Sequence, residues 1–357
     1  MKKYIAILLA LVMIFALAAC SAKEGEPAEE VDVEAPAEEA DSEAPAEEVA
    51  GEVYTLKLGS NTAPSNPENM YAYKLAELVE AATDGGVIIE VYDSAQLGDH
   101  LERLEGLRMG TVEMTLTSIG YLGGYDPVFN IFEMPYLFES DAHQHAVYTS
   151  EVRDMLAADA LPHGFVLVDC LEQGARHITN SVRPINTPDD LAGLKLRVPD
   201  TTSSIDALTA MGATPTPLAF SELYMALQQG QVDGQENPLA TIFSSKFQEV
   251  QKYLSLTGHQ RIEQILVCSA EAWNKLPTEY QDAINACCVE ANEYLQGIVA
   301  EEEANLIQQF KDAGVEVNEV EVSLFKEKVI DFGLRDKYVD AYGEKCQTYF
   351  DLIDSLV

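Results

Sequence analysis

The stretch Leu191-Ala192-Gly193-Leu194-Lys195-Leu196-Arg197-Val198-Pro199-Asp200-Thr201-Thr202-Ser203-Ser204 decides the fold class. Leu194, Leu196 and Val198 alternate with Lys195, Arg197 and Pro199, the period-two pattern of a strand with unlike faces. Arg197 therefore points away from the leucines. Pro199 cannot donate to a sheet ladder and closes the strand. Thr201, Thr202, Ser203 and Ser204 offer N-caps for a helix over 205–211, and Gly212 offers its stop. The result is a strand-loop-helix unit with an arginine at the carboxyl end of the strand. In open α/β sheets that end faces the ligand crevice. A guanidinium there is either a fork for a ligand carboxylate or one half of a surface ion pair.

Outward from this unit the chain keeps an α/β rhythm. Residues 54–59 and 87–92 read as strands, and 112–116 as another. Helical spacing runs over 70–82 through Leu75, Leu78 and Val79. It returns at Leu101, Leu104 and Leu107, and Gly110 ends it. Strands separated by helices imply parallel pairing in a doubly wound sheet. Residues 279–310 form one long helical pattern with Ile284, Cys287, Leu295 and Ile307 on apolar faces, no proline and only Gly297.

The N-terminus reads as an address. Lys2 and Lys3 precede an apolar run over 4–17, shorter than the roughly 20 residues of a membrane span. Leu17-Ala18-Ala19-Cys20 looks like a bacterial lipobox, so residues 1–19 are expected to be a signal peptide and Cys20 the lipidated first residue. Residues 20–52 repeat Pro-Ala-Glu-Glu from Pro27, Pro36 and Pro45 and carry thirteen acids against Lys23 alone. Such a segment cannot bury a core and reads as a disordered tether spanning about 30 Å or more. About 300 residues remain, enough for two cores of ordinary size.

The formal net charge is −38. There is no basic stripe, so nucleic acid is excluded as a partner. An anionic ligand would need a local cationic pocket. Apart from Cys20 the cysteines are Cys170, Cys268, Cys287, Cys288 and Cys346, with no Cys-x-x-Cys spacing. They read as buried reduced thiols. His143 and His145 sit at a helix start, where they cannot aim at one metal. Gly123-Gly124 and Asp84-Gly85-Gly86 are turns and not phosphate cradles. No cofactor is called for.

Two further blocks flank the opening stretch. One is Arg176-His177-Ile178-Thr179-Asn180, followed by Pro188-Asp189-Asp190-Leu191. The other is Thr216-Pro217-Leu218-Ala219-Phe220-Ser221-Glu222-Leu223-Tyr224-Met225-Ala226-Leu227-Gln228-Gln229-Gly230-Gln231-Val232-Asp233-Gly234-Gln235-Glu236-Asn237-Pro238. Together they resemble the signature of the DctP-type solute-binding proteins of TRAP (tripartite ATP-independent periplasmic) transporters. The likeness covers the chain from about residue 54 onward. It implies an α/β two-lobed, periplasmic-binding-protein-like (type II) clamp. Each lobe is then a β-sheet flanked by helices, with the long helix spanning both. Domain I would be 53–173 plus 263–301, and domain II 174–262 plus 302–357.

The resemblance also implies a site and a role. Arg197 corresponds to the arginine that grips the ligand carboxylate, Arg176 to a second basic position, Asn237 to an amide on the same carboxylate, and Phe220 to an aromatic wall. Asn61, His100 and Ser118 fall where relatives present ligand-facing groups. The sialic-acid branch has acids at the places of His100 and Ser118, which argues against sialic acid. Asp233-Gly234-Gln235-Glu236 could pass for an acid pair but reads as a turn that positions Asn237. The expected role is a monomeric, non-enzymatic binding protein outside the membrane. It would deliver an organic acid, such as a C4-dicarboxylate or sugar acid, to small and large permease subunits. The alternatives are the receptor of an ATP-driven importer, a tethered carboxylate sensor, or an extracellular enzyme.

Overall fold

Alternation becomes strand where it was expected: β1 is Tyr54–Gly59 and β2 is Val87–Tyr92. The computed structural model describes residues 52–357. The signal segment, Cys20 and nearly all of the tether lie outside the described residues. The helix after β1, Pro67–Ala82, starts three residues before the expected 70 because Asn66 caps it and Pro67 fits the first turn. The next helix, His100–Met109, has an Asp99/Glu102 capping box and stops at Gly110, whose φ is 70°. The following strand, β3, is Met114–Ser118 and not 112–116. The amides of Thr111 and Val112 both bond to Gly106 O, so the helix end holds them back from the sheet.

The other strands are β4 (Phe165–Asn180), β5 (Lys195–Val198), β6 (Thr214–Pro217), β7 (Gly234–Pro238), β8 (Tyr253–Ser269) and β9 (Glu316–Glu319). The order across the sheet is β2-β1-β3-β8-β4-β7-β5-β6, with β9 on β8. The sheet is therefore mixed and not simply parallel. β1 pairs in parallel with β2 and β3, and β5 with β6 and β7. These two parallel groups are joined by β4 and β8, which run antiparallel to each other along their length. The expected crossings between lobes, near Gly174 and Glu263, fall inside these two strands and not in loops. Gly174, at φ 82°, sits at a break in their register between Glu172 and Ala175.

Gly234, Gln235 and Glu236 also differ from expectation. They lie in the buried strand β7, together with Asn237, and not in a turn before it. Asp233 instead closes the preceding loop, accepting from Lys195 N at 2.8 Å.

Helix Thr202–Met211 has Thr201 as its cap and Gly212, at φ 101°, as its stop. The long helix Thr278–Asp312 packs Ile284, Cys288, Ala291 and Leu295 against the β1–β3 side of the sheet. It packs Leu306 and Phe310 into a separate core with Leu227, Phe247 and Leu254. One element thus seals two apolar clusters, and each fully buried leucine contributes about 1.5–3 kcal/mol. The five cysteines of the body are all buried. His143 and His145 face different partners: His143 Nε2 meets Ile353 O at 2.9 Å, and His145 Nδ1 meets Glu172 at 2.8 Å.

Candidate ligand-binding site

The carboxyl ends of β1, β3, β5 and β7 converge on one cleft. All seven residues expected from the sequence line it: Asn61, His100, Ser118, Arg176, Arg197, Phe220 and Asn237. Ser118 is the last residue of β3, and Asn61 lies just beyond β1. Arg176 and Asn237 sit on adjacent strands, with His177 paired to Asn237 and Arg176 to Pro238. Phe220 follows β6, its ring centroid 5.8 Å from Arg197 Cζ, within reach of a cation–π contact.

The two arginines differ in what already holds them. Arg176 donates to Glu236 through Nε and Nη2, the latter at 2.8 Å, and Nη2 also reaches Glu236 O at 2.7 Å. His259 Nε2 stands 3.4 Å from the same carboxylate. Burial would raise Glu236, but Arg176 and His259 outweigh it and bring its pKa to about 2. Arg176 is thus neutralised within the protein. Arg197 is only 1% exposed. Its Nε donates to Leu218 O at 2.9 Å, and among the described residues no carboxylate pairs with it. Burial pulls its pKa down, with Tyr121 and Glu236 pulling the other way. A buried guanidinium without an anion is costly, so the fork at Arg197 is built to receive one.

The first-lobe residues are mostly occupied. His100 Nδ1 lies 2.9 Å from Thr117 Oγ1, and its ring stacks on Tyr121 at 4.4 Å. Burial, then Arg103 and Arg197, hold His100 well below the usual histidine range, so it is neutral. Ser118 donates to Glu133, which also accepts from Ser203 at the start of helix Thr202–Met211. Asn61 donates to Asp99, leaving Asn61 Oδ1 buried without a partner.

Sequence reading missed Glu68, Tyr121, Gln173, Thr241 and Gln264, which share the lining. Gln173 and Gln264 could have been found, because each is a polar residue beside a point where the chain was expected to cross between lobes.

The family model for bacterial extracellular solute-binding proteins, family 7, matches residues 58–331. The 2,3-diketo-L-gulonate-binding periplasmic protein of Escherichia coli (strain K12) is 34% identical over 263 residues, covering 74% of this chain and 80% of that one. The C4-dicarboxylate-binding periplasmic protein of Rhodobacter capsulatus is 34% identical over 266 residues, with coverage of 74% and 79%. Among solved structures, a TRAP periplasmic solute-binding protein from Roseobacter denitrificans, with bound L-galactonate, superposes with a TM-score of 0.78 at 32% identity. That match covers 86% of this chain and 99% of the other.

Proposed function

The chain belongs to family 7 of the bacterial extracellular solute-binding proteins, and from that premise we propose that it closes two lobes around an organic acid and delivers it to a TRAP permease. The observation that carries the acid's chemistry is Arg197, buried and facing the cleft without a carboxylate of its own. Its fork takes the ligand carboxylate, Asn237 adds an amide, and Phe220 closes the side. Arg176 supports the potential from within its pair with Glu236. Relatives that bind diketogulonate, C4-dicarboxylate and galactonate point to the same class of ligand.

The lobes divide as 53–173 plus 263–301 and 174–262 plus 302–357, and the long helix bridges them. The protein is a monomer, tethered to the outer face of the membrane through Cys20, and it acts by binding without turnover. Among the described residues no helix is long and apolar enough to cross a membrane. Hinge closure would bury the acid and present the closed form to the small and large permease subunits.

A thermal-shift screen with dicarboxylates, sugar acids and aromatic acids tests the reading, run beside a turnover assay on each hit. At least one acid should raise the melting temperature by several degrees and come back unchanged. No shift with any acid, or conversion of the acid, would contradict it.

A further inference from the structure

We infer that Thr241 contacts the ligand, and that Asn66, from the other proposed lobe, sets its hydroxyl as a hydrogen-bond donor towards the cleft. This rests on the binding reading above and deepens it, adding a contact that is assembled only when the lobes meet.

Asn66 is the N-cap of helix Pro67–Ala82 and is 1% exposed. The cap fixes which way its amide points. The backbone N–H of Glu68 can only donate, and it meets Asn66 Oδ1 at 2.9 Å. The Nδ2 end therefore faces away from the helix, and it reaches Thr241 Oγ1 and Ser244 Oγ, both at 3.2 Å. An amide nitrogen only donates, so both hydroxyl oxygens act as acceptors here.

A hydroxyl that accepts still has one hydrogen to give. Ser244 gives its own to Thr241 O at 3.4 Å. For the hydrogen of Thr241 there is no acceptor among the described residues. Glu68 stands in the same first turn as the cap and lines the same cleft, yet its Oε2 accepts from Thr62 at 3.3 Å and its Oε1 has no partner. It does not take the hydrogen. Thr241 is 5% exposed and lines the cleft. A buried donor left unsatisfied is costly, so an oxygen of the ligand is its partner.

The position along the chain fits this. Thr241 lies in the first turn of helix Leu239–Ser244, which follows directly on Asn237 and Pro238 at the end of β7. The donor thus stands on the segment that already carries one amide of the site. Asn66 belongs to the stretch 53–173 and Thr241 to 174–262, so their bond joins the two proposed lobes. With the lobes apart, water would replace Asn66 and the hydroxyl would be free to turn. Closure sets its polarity and completes the site.

Calorimetric titration of the full chain with D-erythronate, L-galactonate, succinate and orotate tests this, the tightest of the four being carried through the variants. Thr241→Val keeps the shape, removes the hydroxyl, and should weaken binding about threefold to tenfold. Thr241→Ser keeps the hydroxyl and should stay within about twofold of the native chain. Asn66→Asp keeps the cap but puts an acceptor where the donor was, which draws the Thr241 hydrogen away from the ligand. It should weaken binding at least about threefold in the native background and by less beside Thr241→Val, where no hydroxyl is left to redirect. Should Asn66→Asp not fold, Asn66→Ser, which also caps and lacks the amide donor, carries the same expectation. Native affinity in Thr241→Val or at the Asn66 variant overturns the inference. So do equal losses in Thr241→Val and Thr241→Ser, or losses that add in full across the two positions. With Arg197→Lys still impaired, each of these leaves the carboxylate reading standing. If none of the four acids binds, the carboxylate reading and this inference fall together.

Discussion

Glu68 and Glu236 are both fully buried carboxyl groups lying in or against one cleft, and they are pushed in opposite directions. At Glu236 burial is outweighed by Arg176 and His259, giving about 2. At Glu68 burial wins over the pull of Arg103, giving about 7. The consequences for stability follow from linkage. Glu236 binds its proton more weakly folded than unfolded. It stabilises above about pH 4.5 and loses that contribution as pH falls towards 2. Glu68 binds its proton more tightly folded than unfolded. It costs stability as pH rises from about 4.5 to 7, a penalty of about 3 kcal/mol that persists above 7. Glu68→Gln should therefore raise the unfolding free energy by about 3 kcal/mol at pH 8 and by little at pH 4. Denaturant titrations at the two pH values check this, and an equal effect at both would contradict it. At this scale the sequence revealed what is local. An arginine at the end of an alternating strand is visible in a few residues. Glu68 was hidden, because an acid in the first turn of a helix ordinarily faces water and complements the helix dipole. Glu236 was hidden because Arg176, its partner, is far away along the chain.

The elements show the same division between near and far. β1, β2, β5 and the helices that follow them emerge from periodicity and caps within about a dozen residues. The long strands β4 and β8 do not, because their antiparallel pairing joins residues about 70 to 105 apart and the proposed lobe crossings lie inside them. The reading of residues 233–236 as a turn failed for a related reason. Asp-Gly is a strong turn signal, yet Gly234 is needed for close strand approach and not for a bend. A Cβ at Gly234 would lie 2.0 Å from Thr179 O and 2.8 Å from Asn180 Cβ on β4. Because β7 lies between β4 and β5 it cannot retreat. Gly234→Ala should therefore cost about 3 kcal/mol or more, as overpacking in a core does. Denaturant unfolding measures it, and a change under about 0.5 kcal/mol would show that the ladder yields.

Across the whole molecule, the two proposed lobes meet through a few polar contacts around the cleft. Asn66 Nδ2 reaches Thr241 Oγ1 and Ser244 Oγ, both at 3.2 Å. Ser221 Oγ donates to Asp99 Oδ2 at 2.7 Å. Glu133 gathers Ser118 from one side and Ser203 from the other. Contacts made only when the lobes are together shift the balance towards the closed form and slow ligand escape. Ser221→Ala removes one of them outside the cleft lining. It should raise the ligand off-rate about threefold to tenfold and leave the melting temperature of the free protein unchanged. Stopped-flow displacement checks the first part. An unchanged off-rate would mean that this contact does not hold the lobes. The central claim is that a carboxylate is gripped by the buried fork of Arg197, and calorimetry on Arg197→Ala and Arg197→Lys with the best acid found by screening tests it most directly. Removing one side of a buried charge pair costs about 3–5 kcal/mol, so Arg197→Ala should bind at least about a hundredfold more weakly, and Arg197→Lys should lose most of the affinity because the fork is gone. Near wild-type affinity in Arg197→Ala would place the anchor elsewhere and contradict the account.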